Sequence, residues 1–301
     1  MSDYSPFAQL LAEVAVSSSS VEVLGARTAY WTYGPADAAE TLVFIHGYRG
    51  EHHGLEPVVA NLRGVRIIAP DLPGFGASQP LASGRHDIAG YSAWLGAFVT
   101  TLGLERAVVL GHSFGSIIVS HAVADGLLDP PRIILVNPIA SAAATGPNRF
   151  LTAVAVGGYR AAARLPEAVG RWTIGSWGVV RVMSGIMSTT KDAALQRWIH
   201  HQHHTYFSDF ASMRVASEGF EASVSNNVAE VASRIRQPTL LIGADLDPIT
   251  PVAAVVALAA AMPDATLRMI PGVGHLVHYE KSGEAARLIV DWLGAGAVAG
   301  D

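Results

Sequence analysis

Val108-Val109-Leu110-Gly111-His112-Ser113-Phe114-Gly115-Ser116 joins a short apolar run, rich in β-branched residues, to a small-residue apolar segment. A buried strand ending here, with a helix starting at once, requires a very tight turn carrying one side chain at its tip. Gly111 and Gly115 make that turn feasible, because they remove Cβ atoms where the two backbones crowd together. The tip residue is Ser113. A hydroxyl held in a strained turn at a helix N-terminus contributes little to packing and is well placed to attack a carbonyl. Five-letter patterns of this kind also arise by chance, so the reading depends on partners elsewhere in the chain.

Outward from this turn, apolar runs alternate with helical spacing. Thr41 to His46 is continuously apolar, as expected of a strand covered on both faces, and ends in His46-Gly47-Tyr48-Arg49-Gly50. Val65 to Ala69 is a second such run, closed by the turn residues Pro70 to Gly76. Ile88 to Leu102 has helical spacing and stops at Gly103; a helix should follow Ser113 to about Ala124, and a strand Arg132 to Val136. The alternation resumes at Thr239–Gly243, Val252–Met262, Thr266–Ile270 and Glu284–Trp292. This order predicts βαβ units and a mostly parallel sheet with helices on both faces. In such sheets ligands bind beyond the carboxyl ends of the strands, where His46-Gly47, Asp71, Ser113 and Asn137 all fall.

Between about Ala140 and Ser233 no strand pattern is visible. Trp172, Trp177, Val180, Met183, Met187, Leu195, Trp198 and Ile199 recur at helical spacing instead. The organisation expected is one α/β core, residues 1–140 and 236–301, interrupted by a helical insertion, residues 141–235. Val21–Leu24 and Thr28–Tyr33 read as a hairpin around Gly25. The first 18 residues and the serines Ser17 to Ser20 read as a loosely attached arm, and the tail from Gly294 to Asp301 is expected to fray.

Composition narrows the function. Half of the 301 residues are hydrophobic and 15% are charged, which allows a large core and excludes wholesale disorder. A net charge of −5 argues against nucleic acid as a partner. The absence of cysteine excludes disulfides, thiolate catalysis and cysteine-ligated zinc together. The first residues lack the basic and apolar regions of a signal peptide, and no run of about 18 apolar residues occurs. The expectation is a cytoplasmic protein with no membrane span, acting on a small molecule; a homodimer stays open.

A serine nucleophile needs a general base, and histidine suits because it titrates near neutrality. Of twelve histidines, His275 lies in Pro271-Gly272-Val273-Gly274-His275, directly after the last strand. His278 falls at the start of the final helix, and His46 and His112 read as braces for their loops. The base in turn needs a carboxylate to fix its tautomer. Asp247, which precedes a proline, is preferred; Asp245 in the same loop fits a turn-capping role. A tetrahedral oxyanion needs two converging N–H donors, and those of Tyr48 and Phe114 are the candidates.

The ordered set Ser113, Asp247, His275 resembles the α/β-hydrolase superfamily over most of residues 20–293. His46-Gly47-Tyr48 is similar to its oxyanion loop, Asp71 to Ser78 to its Asp-x-x-Gly-x-Gly-x-Ser loop, Gly111 to Gly115 to its nucleophile elbow, and Gly274-His275 with Glu280 to its terminal histidine loop. Ser116 and Ala244 stand where glycines are common, and Asn137 occupies the position at which some relatives carry the acid. The resemblance implies an α/β-hydrolase fold with a helical cap after the sixth strand, and no cofactor or metal. It implies a serine hydrolase cleaving an ester, lactone or thioester of a small to medium, largely apolar substrate through an acyl-enzyme. Serine at the elbow separates the chain from the aspartate-dependent dehalogenases and epoxide hydrolases. Three alternatives stay open: a carbon–carbon bond hydrolase of a diketone-type ring-cleavage product, in which a tryptophan often stands where this chain has Leu276; a lyase or cofactor-free oxygenase using the same residues; and a binding module on the same scaffold.

The insertion carries nine Lys or Arg and six acids, a balance of +3 that leaves −8 for the remainder. That asymmetry could guide an anionic substrate, or simply reflect solvated and mutually attracting surfaces. His200-His201-Gln202-His203-His204 places His200 and His204 on one helical face, as in metal pairs, although packed or solvated histidines are the simpler reading.

Overall fold

The computed structural model describes residues 5–143 and 149–297. A short helix, α1 (Ala8–Ala12), leads into two antiparallel strands, β1 (Val16–Val23) and β2 (Ala26–Tyr33), which turn through Leu24 and Gly25, both at positive φ. Ser17 to Ser20 are therefore not an arm: they pair with Thr32, Trp31, Tyr30 and Ala29 across the ladder. Nearly all of β1 is solvent-exposed. The second half of β1 is the hairpin strand expected from Val21; the first half, with no apolar face to bury, shows no hydrophobic alternation, which is why its sequence does not announce it.

The core continues through β3 (Thr41–Ile45), α2 (Glu56–Val59), β4 (Arg66–Pro70), α3 (Ile88–Thr101), β5 (Val108–His112), α4 (Phe114–Ala124) and β6 (Ile133–Val136). Asp87 starts α3 by accepting the Gly90 N–H at 3.0 Å, which satisfies one of the free donors of the first turn. Five helices follow: α5 (Arg149–Ala162), α6 (Glu167–Gly175), α7 (Trp177–Met187), α8 (Ala193–Tyr206) and α9 (Met213–Ser225). The core resumes with β7 (Thr239–Ala244), α10 (Val252–Ala261), β8 (Ala265–Ile270), the single turn α11 (Val277–Glu280) and α12 (Ser282–Ala297). Of the tail expected to fray, residues 294–297 belong to α12 and residues 298–301 lie outside the described residues, as do residues 144–148 of the insertion.

All eight strands form one sheet in the order β1-β2-β4-β3-β5-β6-β7-β8. The six from β4 to β8 in that order are mutually parallel, and only β1 and β2 run antiparallel. Period-2 alternation divides each central strand between two cores. Val43, Ile45, Val109 and Leu241 face Trp94 and Phe98 of α3, Ile117 of α4 and Leu258 of α10. Leu42, Phe44, Leu110 and Ile242 face Val58 of α2 and Ala285, Ile289 and Leu293 of α12. Burial on both faces explains the unbroken apolar runs. The chain thus has the doubly wound α/β-hydrolase fold, with a helical insertion after its sixth strand.

The insertion sits over the loops at the carboxyl ends of the strands. Phe75 bridges to Phe210, Gly76 donates to the Asp209 carbonyl at 3.1 Å, and Ala211 donates to that of Gly74 at 2.8 Å. The loop supplying these contacts is held from within by Asp71, which accepts the N–H of Ala77 and both the N–H and Nδ1 of His52. No described helix is long and apolar enough to cross a membrane.

A very tight backbone contact lies under α4, where a Cβ on Gly115 would stand 2.2 Å from the Ile45 carbonyl oxygen and 2.8 Å from that of His46. Because both neighbours are backbone next to a central strand, neither can yield. Gly115→Ala is expected to cost about 4 kcal/mol or more, the range reserved for severe core clashes. Urea unfolding of the variant against the parent tests this, and matching midpoints would contradict the packing described.

Candidate active site

Ser113 sits between β5 and α4 with φ 52° and ψ −117°, a conformation unfavourable for any residue with a side chain. The surroundings hold it there. Its N–H donates to the Val136 carbonyl at 3.0 Å, and the Ser116 hydroxyl donates to the Ser113 carbonyl while accepting the Ile139 N–H at 3.2 Å. Ser116, which departs from the familiar glycine, therefore stitches the turn to the loop after β6. Gly111 allows the close passage, since a Cβ there would lie 2.5 Å from the Gly115 carbonyl oxygen.

His275 descends from the loop after β8 and places Nε2 2.8 Å from Ser113 Oγ. Its Nδ1 lies 2.8 Å from Asp247 Oδ2 in the loop after β7. The other Asp247 oxygen accepts the N–H groups of Ile249 at 2.8 Å and Thr250 at 3.2 Å, an Asx-type turn that fixes the carboxylate. Burial alone would raise the Asp247 pKa, but the charge and hydrogen bond of His275 and these two N–H donors bring it below the usual aspartate value. Asp245 is exposed and accepts the Gly272 N–H at 2.7 Å, so it caps the neighbouring turn and Asp247 faces the histidine. Asn137, at φ 46° in the loop after β6, donates to Asp247 Oδ2 at 3.0 Å. Its sequence position marks it as a strand-end residue, but nothing in the sequence shows that it reaches across to the β7 loop.

The loop after β3 lies against the same serine. A Cβ on Gly47 would be 3.3 Å from both Ser113 Cβ and His112 Nδ1, so the backbone leading to Tyr48 passes directly beside the hydroxyl-bearing residue. Phe114 begins α4, and the N–H groups of a first helical turn have no partner within the helix. His46 braces this loop: the Leu72 N–H donates to its Nε2 at 2.8 Å, leaving Nδ1–H to donate to the Gly47 carbonyl at 2.8 Å. Burial lowers the His46 pKa, which keeps the ring in that neutral tautomer.

A cavity of about 200 Å³ opens over Ser113 and His275. Its apolar lining includes Phe114 and Ile139 of the core and Met183, Met187, Phe207 and Phe220 of the insertion, and its polar lining includes Glu51, His278 and Tyr279. No lysine or arginine is among its described lining residues. Several cations counted in the insertion are instead paired with acids at the surface, as in Arg160–Glu221, Arg171–Glu167 and Arg234–Asp125.

Other histidines are structural. Ser184 Oγ lies 2.6 Å from His200 Nδ1 and 2.7 Å from His203 Nδ1, whereas His204 stacks on Trp177. Among the described residues no third metal-type ligand joins His200 and His204. A group the motifs did not single out is Glu51, His52 and His53, whose ligand-type atoms lie within 4.8 Å of one another. Protein partners already engage the two Nδ1 atoms, Asp71 for His52 at 2.9 Å and Glu51 for His53. Trp31 stacks on the His52 ring, and Tyr206 of α8 on that of His53.

With the fold and this geometry in place, comparison with known proteins gives the class: residues 40–282 match the family described as alpha/beta hydrolase fold, and the chain belongs to it. It is 25% identical, over 85% of its own length and 88% of the relative's, to 2-hydroxy-6-oxononadienedioate/2-hydroxy-6-oxononatrienedioate hydrolase 2 of Pseudomonas putida. Among solved structures it resembles the enol-lactonase of Burkholderia xenovorans (TM-score 0.76, 19% identity, 91% of this chain and 99% of that one). It also resembles an esterase of Exiguobacterium antarcticum (TM-score 0.75, 16% identity, 91% and 98%). At these identities the two structures speak for the fold alone.

The buried histidines make stability depend on pH. Burial pushes His112 and His203 down to about 3 and holds His278 well below its ordinary value. Below the ordinary histidine pKa of about 6.5, the unfolded chain takes up protons that the native state refuses, so stability is full above that value and falls as the pH drops. His53 acts in the opposite sense, because Glu51 outweighs the effect of burial and raises it. The urea midpoint is expected to be lower at pH 5.5 than at pH 7.5, and His203→Phe should flatten the difference. Equal midpoints for the parent would show that these rings are not held neutral.

Proposed function

We propose that this chain is a serine hydrolase that cleaves a carboxylic ester, or a related lactone or thioester, of modest size. The observation that carries the reading is the continuous line Ser113 Oγ to His275 Nε2 and His275 Nδ1 to Asp247 Oδ2, each step 2.8 Å, at the floor of an apolar cavity. In this reading Ser113 Oγ attacks the carbonyl carbon as its proton passes to His275 Nε2, and Asp247 steadies the imidazolium. The N–H groups of Tyr48 and Phe114 receive the oxyanion. Collapse breaks the bond to the leaving alcohol, which takes the proton from His275, and leaves an acyl-serine. Water enters, gives a proton to His275 and attacks the acyl carbon; the acid departs and Ser113 regains its proton. Residues 141–235 serve as a cap domain that closes the cavity and shapes substrate choice.

A second reading, carbon–carbon bond hydrolysis, is favoured by the Pseudomonas putida relative, whose substrates are by name dioates. Two features of this chain favour the ester reading over a dianionic substrate. The described wall of the cavity offers no lysine or arginine, and it includes the carboxylate of Glu51. Leu276, directly after His275, adds an apolar surface.

Ser113→Ala is expected to lower kcat on an activated neutral ester by about 10⁴–10⁶-fold with little change in unfolding midpoint. Intact-mass analysis after treatment with a serine-directed phosphonate should show one adduct, lost in the variant. An unlabelled parent, or a variant of unchanged rate, would sink the assignment. Between matched esters differing only by a distal carboxylate, the neutral one should show at least about tenfold higher kcat/KM, roughly 1.4 kcal/mol of discrimination. A preference for the anion would favour the second reading.

A further inference from the structure

Arg49 immediately follows Tyr48 and has no place in the chemistry outlined above. It is a non-glycine residue at φ 59°, and its side chain is among the largest that are fully buried, with 1% of its surface exposed. A buried guanidinium normally meets a carboxylate, because leaving its charge without strong acceptors is costly. Among the described residues no ion pair to Arg49 is formed. Its acceptors are neutral, and all of them belong to the helical insertion. Nε donates to the Phe207 carbonyl, Nη1 to Tyr159 Oη at 3.2 Å and the Ile174 carbonyl at 3.5 Å, and Nη2 to Ser208 Oγ at 3.5 Å. Met183 Sδ lies 3.9 Å from Nη1, and the Phe210 ring centroid 5.7 Å from the guanidinium carbon.

One core side chain thus touches α5, α6, α7 and the segment after α8. The preceding residue reaches a further helix, since Tyr48 Oη donates to the Ala216 carbonyl of α9 at 2.6 Å. Two consecutive residues of the loop after β3 therefore contact four of the five helices of the insertion and the segment that follows the other, α8. The same loop passes Gly47 directly beside Ser113, one residue before the proposed Tyr48 donor.

We propose that Arg49 is a positioning residue, a latch through which the seated insertion sets the aim of the Tyr48 N–H at the developing oxyanion. The inference rests on the acyl-serine reading. Its physical basis is the fork of the guanidinium: a planar group with divergent donors can satisfy acceptors on several elements at once, which a single ammonium cannot. With the insertion displaced, those acceptors separate, Arg49 loses its reason to stay buried, and the left-handed turn at residue 49 loses its support. Tyr48 then swings with it. A misplacement of about 1 Å at a reacting centre is enough to cost on the order of 10²-fold in rate.

The test compares the parent with Arg49→Met and Arg49→Lys, using an activated neutral ester, an alkyl boronate that forms a tetrahedral adduct on serine, and phosphonate labelling. For Arg49→Met, kcat should fall about 10²-fold with KM within threefold, and boronate affinity should weaken by the same factor. Arg49→Lys should recover only part of this. Ser208→Ala, which removes one acceptor on the insertion side and spares the core, should lower kcat and boronate affinity together by severalfold; it carries the test if Arg49→Met does not fold. A shift in unfolding midpoint with kcat and boronate affinity unchanged would reduce Arg49 to an anchor and overturn the proposal. A parent that the phosphonate does not label at Ser113 would overturn the serine reading itself, and the latch with it.

Discussion

The backbone contact between the first turn of α4 and the ends of β3 and β5 is the constraint from which the rest of the molecule follows. It exists only because Gly111 and Gly115 carry no side chain, with carbonyl oxygens standing where their Cβ atoms would be. Once α4 is pressed this close, Ser113 has nowhere to go but the tip of a left-handed turn, above the sheet and at the N-terminus of a helix. Parallel strands then do the rest. Because β3, β5, β7 and β8 all end at one edge of the sheet, the loops bearing Tyr48, Ser113, Asp247 and His275 converge without any of them being long.

How much of this is legible in the sequence follows from what each residue interacts with. The central strands are readable because burial on both faces demands unbroken apolar runs. Ser113, Asp247 and His275 are readable because each lies a few residues beyond such a run. The first half of β1 is not, since its serines face solvent and bury nothing. The bond from Asn137 to Asp247 and the grouping of Glu51, His52 and His53 also escape, because they depend on side-chain directions across loops that no periodicity encodes. The charge surplus of the insertion shows the converse. It is visible in the composition, yet several of the cations meet acids at the surface and none lines the described cavity wall.

The site is also an electrostatic compromise. Four histidines border the cavity over Ser113, and they are treated differently. His275 alone has a carboxylate at hydrogen-bond distance from one nitrogen and a hydroxyl at the same distance from the other. His112 and His278 are packed ring against ring, 4.1 Å between centroids, with burial disfavouring their protonated forms. His46 is committed to two backbone groups. Of the four rings, only that of His275 is held between a carboxylate and the Ser113 hydroxyl.

The serines of β1 have a consequence for how copies of the chain can meet. This strand is an outer edge of the sheet, and its free side presents unpaired backbone groups that could template another strand. Ser17 to Ser20 line that edge with short hydroxyl side chains that stay in water and offer a second chain no apolar surface to bury. Backbone pairing alone, exchanging water for another backbone, gains little net free energy. Growth of the sheet from one molecule into the next is therefore disfavoured at this edge, and any self-association has to be built on a different surface.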